Sequence, residues 1–94
     1  MRFMVIEHFK DADPVPVYRR FRERGRMLPE GVTYVASWIE AGFQRCFQVM
    51  ECDDLTKLQE WMLNWRGIGE FEIVPVVTSA EAAKVVEPFL DQDG

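Results

Sequence analysis

The segment from Gly31 to Cys52, GVTYVASWIEAGFQRCFQVMEC, reads as two β-strands joined by a tight turn at Glu40-Ala41-Gly42. It puts Tyr34, Trp38, Cys46, Gln48 and Met50 on strands where a purely structural sheet favours aliphatic side chains. That mixture points to a lined cavity, and nothing in it specifies a reaction. The turn decides which of these residues share a face, because a one-residue change of pairing moves every side chain to the other side. A three-residue loop with Gly42 left-handed pairs Ile39 with Phe43 and gathers Tyr34, Ala36, Trp38, Gln44, Cys46, Gln48 and Met50 on one face. A two-residue loop at Ala41-Gly42 sends Trp38 to join Phe47 and Val49 and leaves Ser37 with Cys46 and Gln48. The first is favoured, since Ala is a poor first residue for a type I′ turn. Under either, Cys46, Gln48 and Met50 stay together. Phe47 and Val49 suit the helix-covered side, so the Gln48 face is expected to turn toward a partner.

Working outward, Arg2 to Phe9 is apolar on both alternating faces, as a central strand covered on two sides requires. Pro14 and Pro16 suit the first turn of a helix capped by Asp13. Val17, Phe21 and Leu28 fall on its apolar stripe, and Arg19, Arg22 and Arg26 on the opposite, solvated one, before Pro29-Glu30-Gly31 stops it. Asp53 or Asp54 caps a second helix with Leu55, Leu58, Trp61, Met62 and Trp65 as its stripe. A fourth strand runs over about Glu70 to Val77, at an edge because of Pro75. Thr78-Ser79-Ala80-Glu81 fits a capping box opening a short helix to Val86, and the tail from Asp91 to Gly94 is expected to fray.

The element order β-α-β-β-α-β plus a short C-terminal helix defines an α+β, ferredoxin-like antiparallel sheet of spatial order 4-1-3-2, one domain over residues 1–90 with a tail at 91–94. Both helices then cover one face. The other is left bare, and a second copy is the simplest cover for it, giving a homodimer through the open sheet face with the C-terminal segment packing across it.

Ninety-four residues allow one modest core, and a net charge of −5 disfavours nucleic acid and anionic membranes as partners. No apolar run reaches the roughly 18 residues of a membrane span, and MRFMVIEHF lacks a small-residue cleavage site, so a cytoplasmic protein is expected. Cys46 and Cys52, roughly 20 Å apart on one extended strand, read as free thiols. With one histidine and no Cys-x-x-Cys pair, neither a metal site nor a cofactor is expected.

FMVIEHF at the start, YVASW before the turn, RCFQVME after it and FEIVPVVTSAEAA near the end together resemble an uncharacterised bacterial family of small proteins, catalogued as a domain of unknown function. The resemblance implies the dimeric α/β-barrel group of the ferredoxin-like fold. Relatives of that architecture include muconolactone-isomerase-like, cofactor-free monooxygenase-like, haem-degrading and simple ligand-binding proteins, and the fold does not choose among them. No catalytic residue follows from it.

Chemistry must therefore come from individual side chains. Gln48, on a dry face, needs partners, and Tyr34 is the candidate across the strands. Tyr34 and Trp38 are either core aromatics or walls of an apolar pocket, with Met50 and Cys46 beside them. Glu7 and His8 end the first strand on opposite faces, and either could serve as a proton-transfer group, Glu7 being preferred as the one turned toward Gln48. Cys46 lacks an activating base and reads as a core residue. Three readings stand: a binder of a small apolar or aromatic molecule in a cavity between sheet and helices or at the dimer barrel, a cofactor-independent isomerase or monooxygenase-like enzyme, and a ligand-free oligomerisation or regulatory module.

Overall fold

In the computed structural model, which describes residues 1–92, alternation and caps have set the elements. Strand β1 spans Arg2–Phe9, β2 Val32–Ile39, β3 Arg45–Cys52 and β4 Gly69–Val76; helix α1 spans Val15–Arg24, α2 Leu55–Asn64 and α3 Ser79–Val86. The four strands form one antiparallel sheet in the order β2-β3-β1-β4, the ferredoxin-like layout expected from the sequence. β1 is central, and β4 with Pro75 is an edge.

Local chemistry explains the ends. The Asp54 carboxylate caps α2 by accepting from the Thr56 N–H at 2.9 Å. At α3 both halves of the capping box are present, the Glu81 N–H donating to the Thr78 hydroxyl and the Thr78 N–H to the Glu81 carboxylate. Asp13 accepts from the Val15 N–H at 3.0 Å ahead of α1. Of the expected tail, Asp91 and Gln92 close a turn through the Gln92 N–H on the Phe89 carbonyl, and residues 93–94 lie outside the described residues.

Three expectations are corrected. The hairpin has neither a three-residue nor a two-residue loop: Ile39 pairs with Cys46, the Glu40 N–H bonds the Arg45 carbonyl, and Ala41 to Gln44 form the loop with Phe43 left-handed at φ 57°. An even loop has the parity of the two-residue alternative, so Trp38 pairs with Phe47 and Ser37 with Gln48. A bulge between Tyr34 and Ala36 then reverses the parity once more, and Tyr34 returns to pair with Met50. Tyr34 and Trp38 are thereby parted to opposite faces.

The second correction concerns which face the helices take. Phe3, Val5, Val32, Met50 and Cys52 pack with Leu58, Trp61 and Trp65, and Val17 of α1 rests on the same cluster. The Gln48 face is therefore the helix-covered one. Met4, Ile6, Phe47 and Val49 are half-buried on the other side, where Trp38 is 59% exposed. Thirdly, α1 stops at Gly25, whose φ of 67° suits the achiral residue, so Arg26 leaves the exposed arginine stripe and turns inward.

Beyond β4 the chain leaves the body. α3 and the turn after it bury no residue, and Val85, Val86, Phe89 and Leu90 are exposed. The molecule measures 55 × 32 × 17 Å with a radius of gyration of 16.4 Å. A compact chain of this length would have about 12 Å.

Candidate functional site

Beneath α1 and α2, at the end of the sheet where β1 and β3 carry Glu7 and Cys46 side by side, the packing leaves a half-open cavity of about 160 Å³. Its walls are mostly apolar: Phe9, Val17, Tyr18, Phe21, Ile39, Trp61 and Trp65 surround Ser37, Cys46, Glu7, Gln48 and Arg26. Strand alternation supplies its floor and α1 and α2 its roof. A concave apolar space with a few convergent polar groups is the form of a small-molecule site.

The polar groups form an ordered chain. Arg26 Nη1 donates to Gln48 Oε1 at 3.0 Å, and Gln48 Nε2 donates to Glu7 Oε1 at 2.7 Å. A guanidinium can only donate, so the oxygen of the Gln48 amide must face Arg26 and its nitrogen must face Glu7. Glu7 Oε1 is thereby held as an acceptor. The second carboxyl oxygen has no hydrogen bond among the described residues and is not fully enclosed, and Glu7 lines the cavity.

Burial sets the protonation of this site. Glu7 is only 8% exposed, and loss of water pushes its carboxyl up from 4.5 to about 7, against the opposing pull of the Arg26 charge and the Gln48 hydrogen bond. Cys46, buried next to it, is raised to about 12 by desolvation and then by the Glu7 charge, so it remains a neutral thiol and no nucleophile.

Arg26 is held by its backbone and by stacking. Its carbonyl accepts the indole N–H groups of both Trp61 and Trp65, at 3.0 and 2.9 Å, while Asn64 donates to the carbonyl of Met27 at 3.0 Å. These three side chains of the last turn of α2 clamp a loop in which Met27 is left-handed at φ 56°, a conformation costly for a side chain with a Cβ. The guanidinium lies 3.6 Å from the centroid of the Tyr34 ring and 5.3 Å from that of Phe21. Such faces hold a cation in place without neutralising it.

Of the residues singled out in the sequence, Glu7, Gln48 and Cys46 meet in the cavity. Tyr34 stands behind Arg26 as its platform, and its hydroxyl is paired with Ser37 at 2.7 Å rather than with Gln48. Met50 is fully buried in the core, and Trp38 and His8 lie on the opposite face, His8 Nε2 being 3.6 Å from Glu72. Sequence reasoning missed Arg26, Trp61 and Trp65 as site residues. Gly25, a stop just before Arg26, was the one signal that could have freed that arginine from the helix face.

Among the described residues no helix is long and apolar enough to cross a membrane, and no cluster of His, Cys, Asp or Glu is arranged to hold a metal ion. No curated protein and no solved structure matches the chain. The family model described as Domain of unknown function (DUF3303) matches residues 1–90, and the chain belongs to that family.

Proposed function

We propose that this protein binds a small apolar or aromatic molecule in the cavity between its sheet and helices. The observation that carries this reading is the Arg26–Gln48–Glu7 chain, in which half-buried Arg26 and buried Gln48 and Glu7 line a mostly apolar space with one carboxyl oxygen left without a hydrogen bond among the described residues. A core without a ligand gains nothing from burying a carboxyl group, which costs stability unless it is fully paired. The strained, triply clamped Arg26–Met27 loop supports the same reading. A screen of single-ring aromatic compounds by thermal shift tests it. Hits should raise the melting temperature of the wild type and lose that effect in Val17→Phe and Ser37→Phe, each of which fills the cavity. Hits unaffected by both fillings would place binding elsewhere.

One observation favours an enzyme as the second reading. A carboxyl group titrating at about 7, with one oxygen fixed and one free, is suited to proton transfer near neutral pH. Glu7→Gln should abolish turnover of any substrate found, and undiminished turnover would remove Glu7 from that role.

We further propose that the domain is a homodimer of the dimeric α/β-barrel type, formed through the Met4, Ile6, Phe47, Val49 and Trp38 face, in the cytoplasm, where its two buried cysteines would stay reduced. Four strands of eight residues present a face of roughly 500 Å², short of the about 800 Å² per partner of a standard interface. The projecting C-terminal arm, with Val85, Val86, Phe89 and Leu90 exposed, makes up the difference when it lies across the second copy. Sedimentation should give a dimer, and a chain ending at Val77 should dissociate at concentrations where the whole chain does not.

A further inference from the structure

We propose that the ligand of the cavity carries a carboxylate on one aromatic ring or an apolar body of that size, with the carboxylate held between Arg26 and Glu7 and the ring among Phe9, Trp61 and Trp65. This rests on the cavity being the ligand site and names the chemistry that fits it. Size comes first. The space of about 160 Å³ is close to the roughly 150 Å³ of an apolar protein cavity that admits benzene. One ring fits, and a fused polycycle does not.

Charge comes second. Among the described residues no carboxylate lies within ion-pair distance of Arg26, although acidic residues outnumber basic ones 16 to 11. One guanidinium nitrogen is taken by Gln48, one face by Tyr34, and the remaining N–H groups have no protein acceptor among the described residues. A cation kept on an aromatic platform at the wall of an apolar cavity lacks a counter-ion, and an anionic ligand supplies it in the bidentate geometry that guanidinium favours.

Glu7 is third. With Oε1 committed as acceptor to Gln48, its proton belongs on the other oxygen of this cavity-lining side chain. Protonated, that oxygen donates to the incoming carboxylate; ionised, it repels it. The groups facing Glu7 leave it as the titrating member. Arg26 approaches from the loop after α1 with its guanidinium, Cys46 on β3 stays neutral, Gln48 does not titrate, Phe71 pairs with Glu7 from β4, and α2 presents Trp61 and Trp65. Tyr18 of α1 lines the same space with its phenol. Since burial sets the Glu7 carboxyl at about 7, carboxylate affinity should fall as pH rises through that value.

The test is calorimetric titration of the full chain with phenylacetate and with its neutral isostere phenylacetamide. At pH 6 the acid should bind about tenfold or more tightly than the amide, the yield of one charge-assisted pair. Between pH 7 and 8 its affinity should fall by up to about tenfold as one proton is lost. Arg26→Gln should bring the acid-to-amide ratio near one, and Arg26→Lys should restore part of it; neither alters the backbone carbonyl that anchors the two indoles. Glu7→Gln should abolish the pH dependence. Equal affinity for acid and amide in the wild type would overturn the carboxylate assignment while leaving the cavity as a neutral-ligand site. Binding of neither would overturn both.

Discussion

The side-chain nitrogen of Gln48 stands 2.7 Å from Oε1 of Glu7, two buried polar groups that face each other from neighbouring strands beneath the helices. Because burial raises the Glu7 carboxyl from 4.5 to about 7, the folded chain holds that proton more tightly than the unfolded one. Stability therefore falls as pH rises from about 4.5 to about 7 and is level beyond. Glu7→Gln does not titrate. Its stability relative to wild type should improve by up to about 3 kcal/mol between pH 5 and 8, measured by urea unfolding at both. A difference that does not change with pH would mean that Glu7 is not buried as described.

Gln48 bridges Arg26 and Glu7, accepting from one and donating to the other. Gln48→Leu leaves the Glu7 carboxyl and one Arg26 nitrogen without their partner and should cost about 2 to 4 kcal/mol, the range for orphaned buried polar groups. Chemical unfolding at pH 7 checks this. A loss below 1 kcal/mol would show that the chain is not a structural unit.

Trp61 and Trp65 donate to one carbonyl, that of Arg26. Replacing either with Phe removes one of two bonds and should cost about 1 kcal/mol, whereas the double replacement leaves the carbonyl unsatisfied and should cost more than the sum. A double-mutant cycle reads the difference directly.

The two faces of β3 should respond oppositely to charge. Val49→Asp lies on the open face, through which the homodimer is proposed to form, and on that proposal should yield a folded monomer, seen as native circular dichroism with half the sedimentation mass of the wild type. Met50→Asp puts a charge where the side chain is wholly buried and should unfold the chain. A folded Met50→Asp protein would invalidate the assignment of faces.

At Gly69, any Cβ would strike the His8 carbonyl oxygen on the adjacent strand. Since that atom is backbone and cannot swing aside, Gly69→Ala should destabilise the β1–β4 pairing, lowering the melting temperature by several degrees for a loss of about 1 to 2 kcal/mol.

Most of the architecture could be read from the chain because it is written in local chemistry. Double-faced apolarity marks β1 as central, Pro75 marks β4 as an edge, and Thr78 with Glu81 marks the start of α3. The choice of face could not be read that way. Phe47 and Val49 are more apolar than Cys46 and Gln48, yet the latter lie under the helices, on the face where Met50 joins Phe3 and Val5 in the core and Gln48 bonds to Glu7 and Arg26. Hydrophobicity ranks faces only when polar residues have no hidden partner, and these partners come from three separate segments. The register was hidden for a similar reason. The four-residue loop and the bulge beyond Tyr34 each change parity, and only pairing with β3 reveals both. Arg26 reads as part of the solvated stripe because helical periodicity runs smoothly across Gly25, where the helix in fact ends.

The central claim is that the cavity under the helices, and not the open sheet face, takes a small molecule. The chain carries three tryptophans, two lining the cavity and one, Trp38, on the far face as an internal control. In ¹⁵N-labelled protein titrated with phenylacetate at pH 6, the indole N–H signals of Trp61 and Trp65 should shift and saturate together while that of Trp38 stays fixed. Movement of Trp38 alone, or of none of the three at saturating ligand, would contradict it.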